Sequence, residues 1–170
     1  MTRNLKFSNF SWLLIFFSFI SISLSAQEEN HTKVGLSALL QDSQLDIVLP
    51  IWTSQKFALV PGVSFVSIED GGTDIGIGLS LRNYFKETEI APFITGRFAA
   101  LISSPAEGDS TTDFVAGIGT GGEYFLHEQF SLGVEGQLNF SFSDDQSSRF
   151  GNPGGMNINT ASVVFATVYF

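Results

Sequence analysis

Cysteine is absent from this chain of 170 residues. Its absence excludes a disulfide-stapled scaffold, a thiolate metal site, a cysteine nucleophile and a lipoprotein anchor. Basic residues are scarce: eight Lys and Arg stand against 17 Asp and Glu, a formal charge of −9. Nucleic-acid-binding domains carry a basic patch or stripe, so no nucleic-acid partner is expected. Long apolar runs are missing too. Outside the first 26 residues nothing approaches the roughly 18 to 20 apolar residues of a spanning helix, which removes the helical-bundle membrane class. Yet the mean hydropathy is +0.21, 44% of the residues are hydrophobic and 18 are Phe. The apolar material must follow some pattern other than runs.

Residues 1–26 read as a secretory signal peptide. Arg3 and Lys6 make a basic start, residues 12–24 are apolar with interspersed Ser, and the small residues Ser23, Ser25 and Ala26 precede Gln27 and the acidic pair Glu28 and Glu29. The apolar stretch 12–20 is too short to cross a bilayer of about 30 Å, so an uncleaved anchor fits less well. Either Ser25 or Ala26 ends the segment removed. The folding domain is then 27–170, exported and, without Arg3 and Lys6, two units more negative than the full chain.

In that domain apolar residues recur at every second position over short segments, the period of a strand with two different faces. The alternation predicts eight strands: 32–40, 45–52, 57–68, 75–85, 90–102, 114–126, 130–142 and 159–170. Most have the roughly 9 to 11 residues of a tilted membrane strand. Tight turns are expected at 53–56, 86–89 and 127–129. Longer Gly- and acid-rich segments lie at 69–74, 103–113 and 143–158, with 41–44 a short exception. Short turns on one side and long loops on the other suit an outer-membrane barrel with both termini at the periplasmic side.

The polarity of the two faces separates membrane from water. In the seventh segment Phe130, Leu132, Val134, Gly136, Leu138, Phe140 and Phe142 alternate with Ser131, Gly133, Glu135, Gln137, Asn139 and Ser141. In the fourth, Ile75, Ile77, Leu79 and Leu81 alternate with Gly76, Gly78, Ser80 and Arg82. An eight-stranded cylinder is only wide enough inside for side chains, so the polar face is the filled interior. A secreted soluble barrel of lipocalin type needs the inverse, an apolar interior. Trp52, Phe57, Tyr84, Phe85, Tyr124, Phe125, Phe130, Tyr169 and Phe170 fall at strand ends beside the tight turns or the C-terminus, and are expected to form an aromatic girdle there. Phe65, Phe114, Phe140 and Phe142 are candidates for the opposite belt. Pro50, Pro61 and Pro92 remove ladder donors, but all three sit near the short-turn rim.

With this pattern the chain resembles the small outer-membrane β-barrel family typified by OmpX and the transmembrane domain of OmpA. The resemblance covers residues 32–170. Its sharpest piece is Val164, Ala166, Val168 and Phe170, which looks like the C-terminal signal read by the barrel-insertion machinery, with Val168 where the family often has an aromatic residue. It implies an all-β, eight-stranded, antiparallel up-and-down transmembrane barrel in the outer membrane of a Gram-negative bacterium. Outer-membrane lipid, lipopolysaccharide and the insertion machinery would be its partners, and it would carry no cofactor. No counterpart of the OmpA family's peptidoglycan-binding domain is expected. Enzymatic barrels of this size, the lipid A deacylases and palmitoyltransferases, need a His beside Ser and an acid at the outer rim. The two His here, His31 before the first strand and His127 in a tight turn, are not so placed, and no enzyme is expected.

The remaining candidates are weighed by context. Gly117, Gly119 and Gly122 fit GxGxxG, but a dinucleotide site needs a helix to open there, whereas the strand runs straight on; Gly117, Gly119 and Gly121 instead leave room in a crowded lumen. Lys33, Asp46, Arg82, Arg97, Glu123 and Glu135 all fall on the polar face, three of each sign. Buried charges persist when paired, so they are expected to form a plugging network, with Arg97, Glu135, Gln137 and Asn139 near mid-height and Lys33, Arg82 and Glu123 lower down. The alternative is that the network gates a narrow ion or small-solute channel. Acidic residues crowd the outer loops, where Asp70 with Asp74, or Asp109 with Asp113, are weak Ca²⁺ candidates; solvated loops, bridged by divalent ions to lipopolysaccharide phosphates, fit better. Segment 143–158, with Asp144, Asp145, Arg149 and Phe150, is the best candidate for contact with an external partner. The expected role is structural or interactive: envelope integrity, adhesion or partner binding.

Overall fold

The computed structural model describes residues 33–41, 44–69, 71–86 and 88–170. The signal-peptide reading of residues 1–26, and the readings that rest on His31 and Asp70, lie outside them. The strands are β1 (Gly35–Gln41), β2 (Gln44–Val48), β3 (Ile51–Ser54), β4 (Phe57–Ile68), β5 (Gly72–Tyr84), β6 (Ile90–Ser104), β7 (Thr111–His127), β8 (Phe130–Phe142) and β9 (Met156–Tyr169). Every pairing is antiparallel, in the order β2-β1-β9-β8-β7-β6-β5-β4-β3, and a further β2–β4 pairing closes the ring.

Nine elements make eight staves, because β2 and β3 are one arm interrupted at Pro50. Proline has no N–H to donate, so the ladder breaks there. The chain nevertheless stays in the sheet: Leu49 N donates to Pro61 O at 2.9 Å, and Gly35 N donates to Pro50 O at 2.8 Å. The seam joins the two ends of the described barrel, pairing Gly35 with Tyr169 and Gln41 with Val163. Inside this seam Thr167 Oγ1 donates to Ser37 Oγ at 3.0 Å, and Ser37 Oγ donates to Ala166 O at 3.1 Å.

Side-chain alternation is strict where the sequence is. Along β8 every even residue faces out and every odd one from Ser131 to Ser141 is buried. Ile75, Ile77, Leu79 and Leu81 of β5 face out while Arg82 is 2% exposed. Phe65, Ile77, Ile118, Val134 and Val164 lie on an outer surface that is apolar all round the cylinder. Soluble monomers rarely expose contiguous apolar patches beyond a few hundred Å²; this surface requires a hydrocarbon solvent. Phe98 and Phe114 stack on it, ring centroids 6.0 Å apart.

Two expectations are corrected. The long-loop segments are shorter than their composition suggests, since β4 and β5 pair as far as Ile68 and Gly72, and β6 and β7 as far as Ser103 and Thr111. Asp74 and Asp113 are therefore strand residues, and Asp113 is fully buried. The aromatic girdle is split as well. Phe85, Tyr124, Phe130 and Phe170 are exposed, but Tyr84 and Tyr169 are each 1% exposed, and Trp52 and Phe125 pack against the same interior cluster. The cause is the pleat: neighbours in a strand point to opposite faces, so Tyr84–Phe85, Tyr124–Phe125 and Tyr169–Phe170 cannot share one.

Candidate functional site

The lumen is the candidate site, and it has three levels. At the tight-turn end it is aromatic. Trp52 stacks on Tyr84 at 4.4 Å between centroids, Tyr84 meets Phe93 at 5.3 Å, Phe93 meets Phe165 at 6.2 Å, and Phe125 packs on both Trp52 and Tyr169. Small residues make room for these rings. A Cβ on Gly133 would strike the Phe165 ring, and one on Gly35 would come within 2.8 Å of Tyr169. Lys33, just ahead of β1, lies 4.2 Å from the Tyr169 centroid and 5.3 Å from that of Phe125. Burial lowers its ammonium pKa, an effect that Glu123 and Glu128 oppose. It sits over rings, not in an ion pair with a carboxylate as the sequence suggested, because inward-turned Tyr169 and Phe125 fill the intervening space.

The charged residues begin among these rings. Glu123 is fully buried and accepts from Tyr84 Oη at 2.6 Å, Tyr169 Oη at 2.6 Å and Ser131 Oγ at 2.5 Å. Hydroxyls donated to an ionised carboxylate are among the stronger protein hydrogen bonds, and they offset much of the desolvation that such a charge suffers. Arg82 stands between two acids, 4.0 Å from Glu123 and 3.4 Å from Glu135. Its guanidinium also lies 4.2 Å from the Phe165 centroid and 4.8 Å from that of Phe93. The chain of contacts continues from Glu135 to Gln137 Nε2 at 2.9 Å, and from Gln137 Oε1 to Arg97 Nη1. Gly117 and Gly119 leave space for it: added Cβ atoms would come 2.5 Å from Asn139 Oδ1 and 2.6 Å from Glu135 Oε1.

Arg82, Arg97, Glu123, Glu135 and Gln137 thus form one connected cluster. Asp46 and Asn139, expected in it, do not join: Asp46 accepts from Gln44 Nε2 at 2.8 Å, and Asn139 Oδ1 is buried without a partner. Sequence reasoning missed Tyr84, Ser131 and Tyr169 as the donors to Glu123. Parity could have found them, since Tyr84 shares a face with Arg82, and Ser131 with Glu135.

Above the cluster is a cavity of about 300 Å³, roofed by Arg149 and Phe150 of loop 143–155. Asp113 pins that loop. Its Oδ1 accepts from Asp144 N at 2.9 Å and its Oδ2 from Ser147 Oγ at 2.7 Å. Arg149 bridges the walls, 3.0 Å from Asp74, 3.4 Å from Asp113 and 2.7 Å from Ser103 Oγ. These contacts correct the cation-site readings: Asp74 and Asp113 are drawn to one guanidinium, while Asp109 is exposed and Asp70 lies outside the described residues. Among the described residues no three His, Cys, Asp or Glu side chains are grouped to hold a metal ion. Of the four loop residues singled out, Asp145 is exposed, Asp144 is half-buried, and Arg149 and Phe150 turn towards the lumen. Val164, Val168 and Phe170 are exposed on the outer face, with Ala166 half-buried between them.

No family model matches the sequence, and no curated protein matches it. Solved structures do. The N-terminal β-barrel domain of Pseudomonas aeruginosa OprF superposes with a TM-score of 0.59 at 11% identity, covering 85% of this chain and 100% of that one. Neisserial surface protein A, NspA, superposes with a TM-score of 0.54 at 13% identity, covering 82% of this chain and 94% of that one. Closed ring, apolar exterior and both superpositions agree that this chain has the fold of the small eight-stranded outer-membrane β-barrels.

Proposed function

We propose that this protein spans the outer membrane as a barrel closed by its own side chains, and that it works through structure and surface contact and not by passing solute. The observation that carries this reading is the plug: six inward rings pack around a buried, fully bonded carboxylate across a cylinder only wide enough for side chains. The outward apolar surface supports lipid as its solvent and argues against the soluble lipocalin alternative. In this reading the barrel meets outer-membrane lipid along its wall, and Val164, Ala166, Val168 and Phe170 are offered to the insertion machinery. Lipopolysaccharide phosphates meet the acidic loops through divalent ions, and an external partner meets the rim near Asp145, with both termini periplasmic. No catalytic role is proposed.

The test has two parts. Extracted from outer membranes, the protein should shift in gel mobility on heating, as closed barrels do; recovery as a freely soluble periplasmic product would overturn the membrane assignment. In planar bilayers the purified barrel should give no discrete conductance. Reproducible unitary steps would instead favour the narrow-channel alternative, whose support is the cavity above Glu135.

A further inference from the structure

We propose that the half of the lumen beneath loop 143–155 is a binding pocket for a small solute bearing a carboxylate beside a hydrogen-bond donor, the chemistry of a hydroxy or amino acid. Its volume, about 300 Å³, is at the lower end for small-molecule sites. The three guanidiniums that line it are not equivalent. Arg149 is held by Asp74 and Asp113, and Arg82 by Glu135. Arg97, among the described residues, has no carboxylate at ion-pair distance, and its one side-chain hydrogen bond is to Gln137. A guanidinium carries five N–H donors in a planar fork matched to a carboxylate, so most of Arg97's capacity faces the cavity unspent.

A second group points the same way. Asn139 is 3% exposed and lines the cavity, and its Oδ1 has no partner. A buried acceptor left unpaired is costly; this oxygen packs over Gly117, and a half-turn of the amide carries it to the cavity, where an O–H or N–H of a ligand pairs it. The register brings the two together. Arg97 pairs across to Gly117 and Gly117 to Asn139, so the one residue between them has no side chain. Asp46, on the arm that closes the ring, faces the same cavity and offers a carboxylate to a ligand ammonium. A carboxylate on Arg97, with a neighbouring donor on Asn139 Oδ1, uses both unpaired groups at once. This pocket does not depend on what the outer loops contact; it depends on the plug only for its floor.

The experiment follows side-chain NMR signals of Arg97 Nε–Hε and the Asn139 amide in the ¹⁵N-labelled mature barrel, folded in micelles at constant ionic strength. Sodium L-lactate and L-serine are the probes, with sodium acetate as the donor-free control. Lactate or serine should shift both signals saturably, with a midpoint of about 1 mM, and acetate should bind several-fold more weakly. Arg97→Gln should weaken the probe at least about tenfold, the loss of one charged hydrogen bond, and Asn139→Leu should erase the preference over acetate. Linear, unsaturating shifts overturn the proposal, as does equal binding by folded Arg97→Gln. Should Arg97→Gln fail to give the heat-modifiable form, Asn139→Leu decides: an unchanged preference for lactate over acetate overturns the proposal.

Discussion

Glu123 shows how much one residue can organise. It sits where no water reaches, and three hydroxyls and a guanidinium turn towards it. Glu123→Gln keeps the shape but leaves Arg82 with Glu135 as its sole acid, and should lower stability by about 3 kcal/mol. The loss is measurable as a shifted urea midpoint in lipid vesicles. Trp52, the sole Trp after residue 26, stacks on Tyr84 within the plug and reports the transition by fluorescence. Tyr169→Phe removes one hydroxyl bond to the same carboxylate and should cost about 1.5–3 kcal/mol in the same assay. Gly133→Ala drives a methyl into the Phe165 ring and should cost about 1–3 kcal/mol by overpacking. At this scale the sequence was partly legible. Arg82 and Glu123 were visible as interior charges because alternation fixes the face of each residue. Their partners were not, because which rows meet across a cylinder depends on strand stagger, which no local pattern records.

Strands were the most readable elements, and loops the least. β8 has the expected limits because Phe130 and Phe142 are the first and last members of an unbroken alternation. β7 starts three residues earlier than expected, at Thr111, since Asp113 looks like a loop acid by composition. Its odd number, however, puts it in line with Val115, Gly117 and Glu123 on the inner face. That placement makes loop 143–155 a strapped element: Asp113 holds its first turn, and Arg149 ties its far side to β5 and β6. Asp113→Asn should loosen the strap without unmaking the barrel. Trypsin should then cut after Arg149 several-fold faster than in the parent protein, while the heat-modifiable core survives; an unchanged rate would show that the loop is held by other means.

For the whole molecule, high hydropathy without apolar runs resolves into geometry. Apolar side chains at every second position face out all round a ring, and the polar ones fill its middle. Closing that ring requires β9, which pairs with both β8 and β1. A chain ended after residue 155 retains every hairpin from β4 to β8 yet has no seam, so it should show no heat-shifted gel band. A band that still shifted would mean that the remaining staves close without it.

The seam also sets a clock. Ser37 and Thr167 bond across it although 130 residues separate them in sequence. The entropy of bringing such distant segments together grows only slowly with length, but folding rates fall steeply as contacts become less local. Hairpins between successive strands can form while the seam is still open, and until it shuts the edges of β1 and β9 present unpaired N–H and C=O groups that hydrocarbon does not tolerate. Deep insertion and closure are therefore one event, and the last strand to arrive decides when the protein becomes a membrane protein at all.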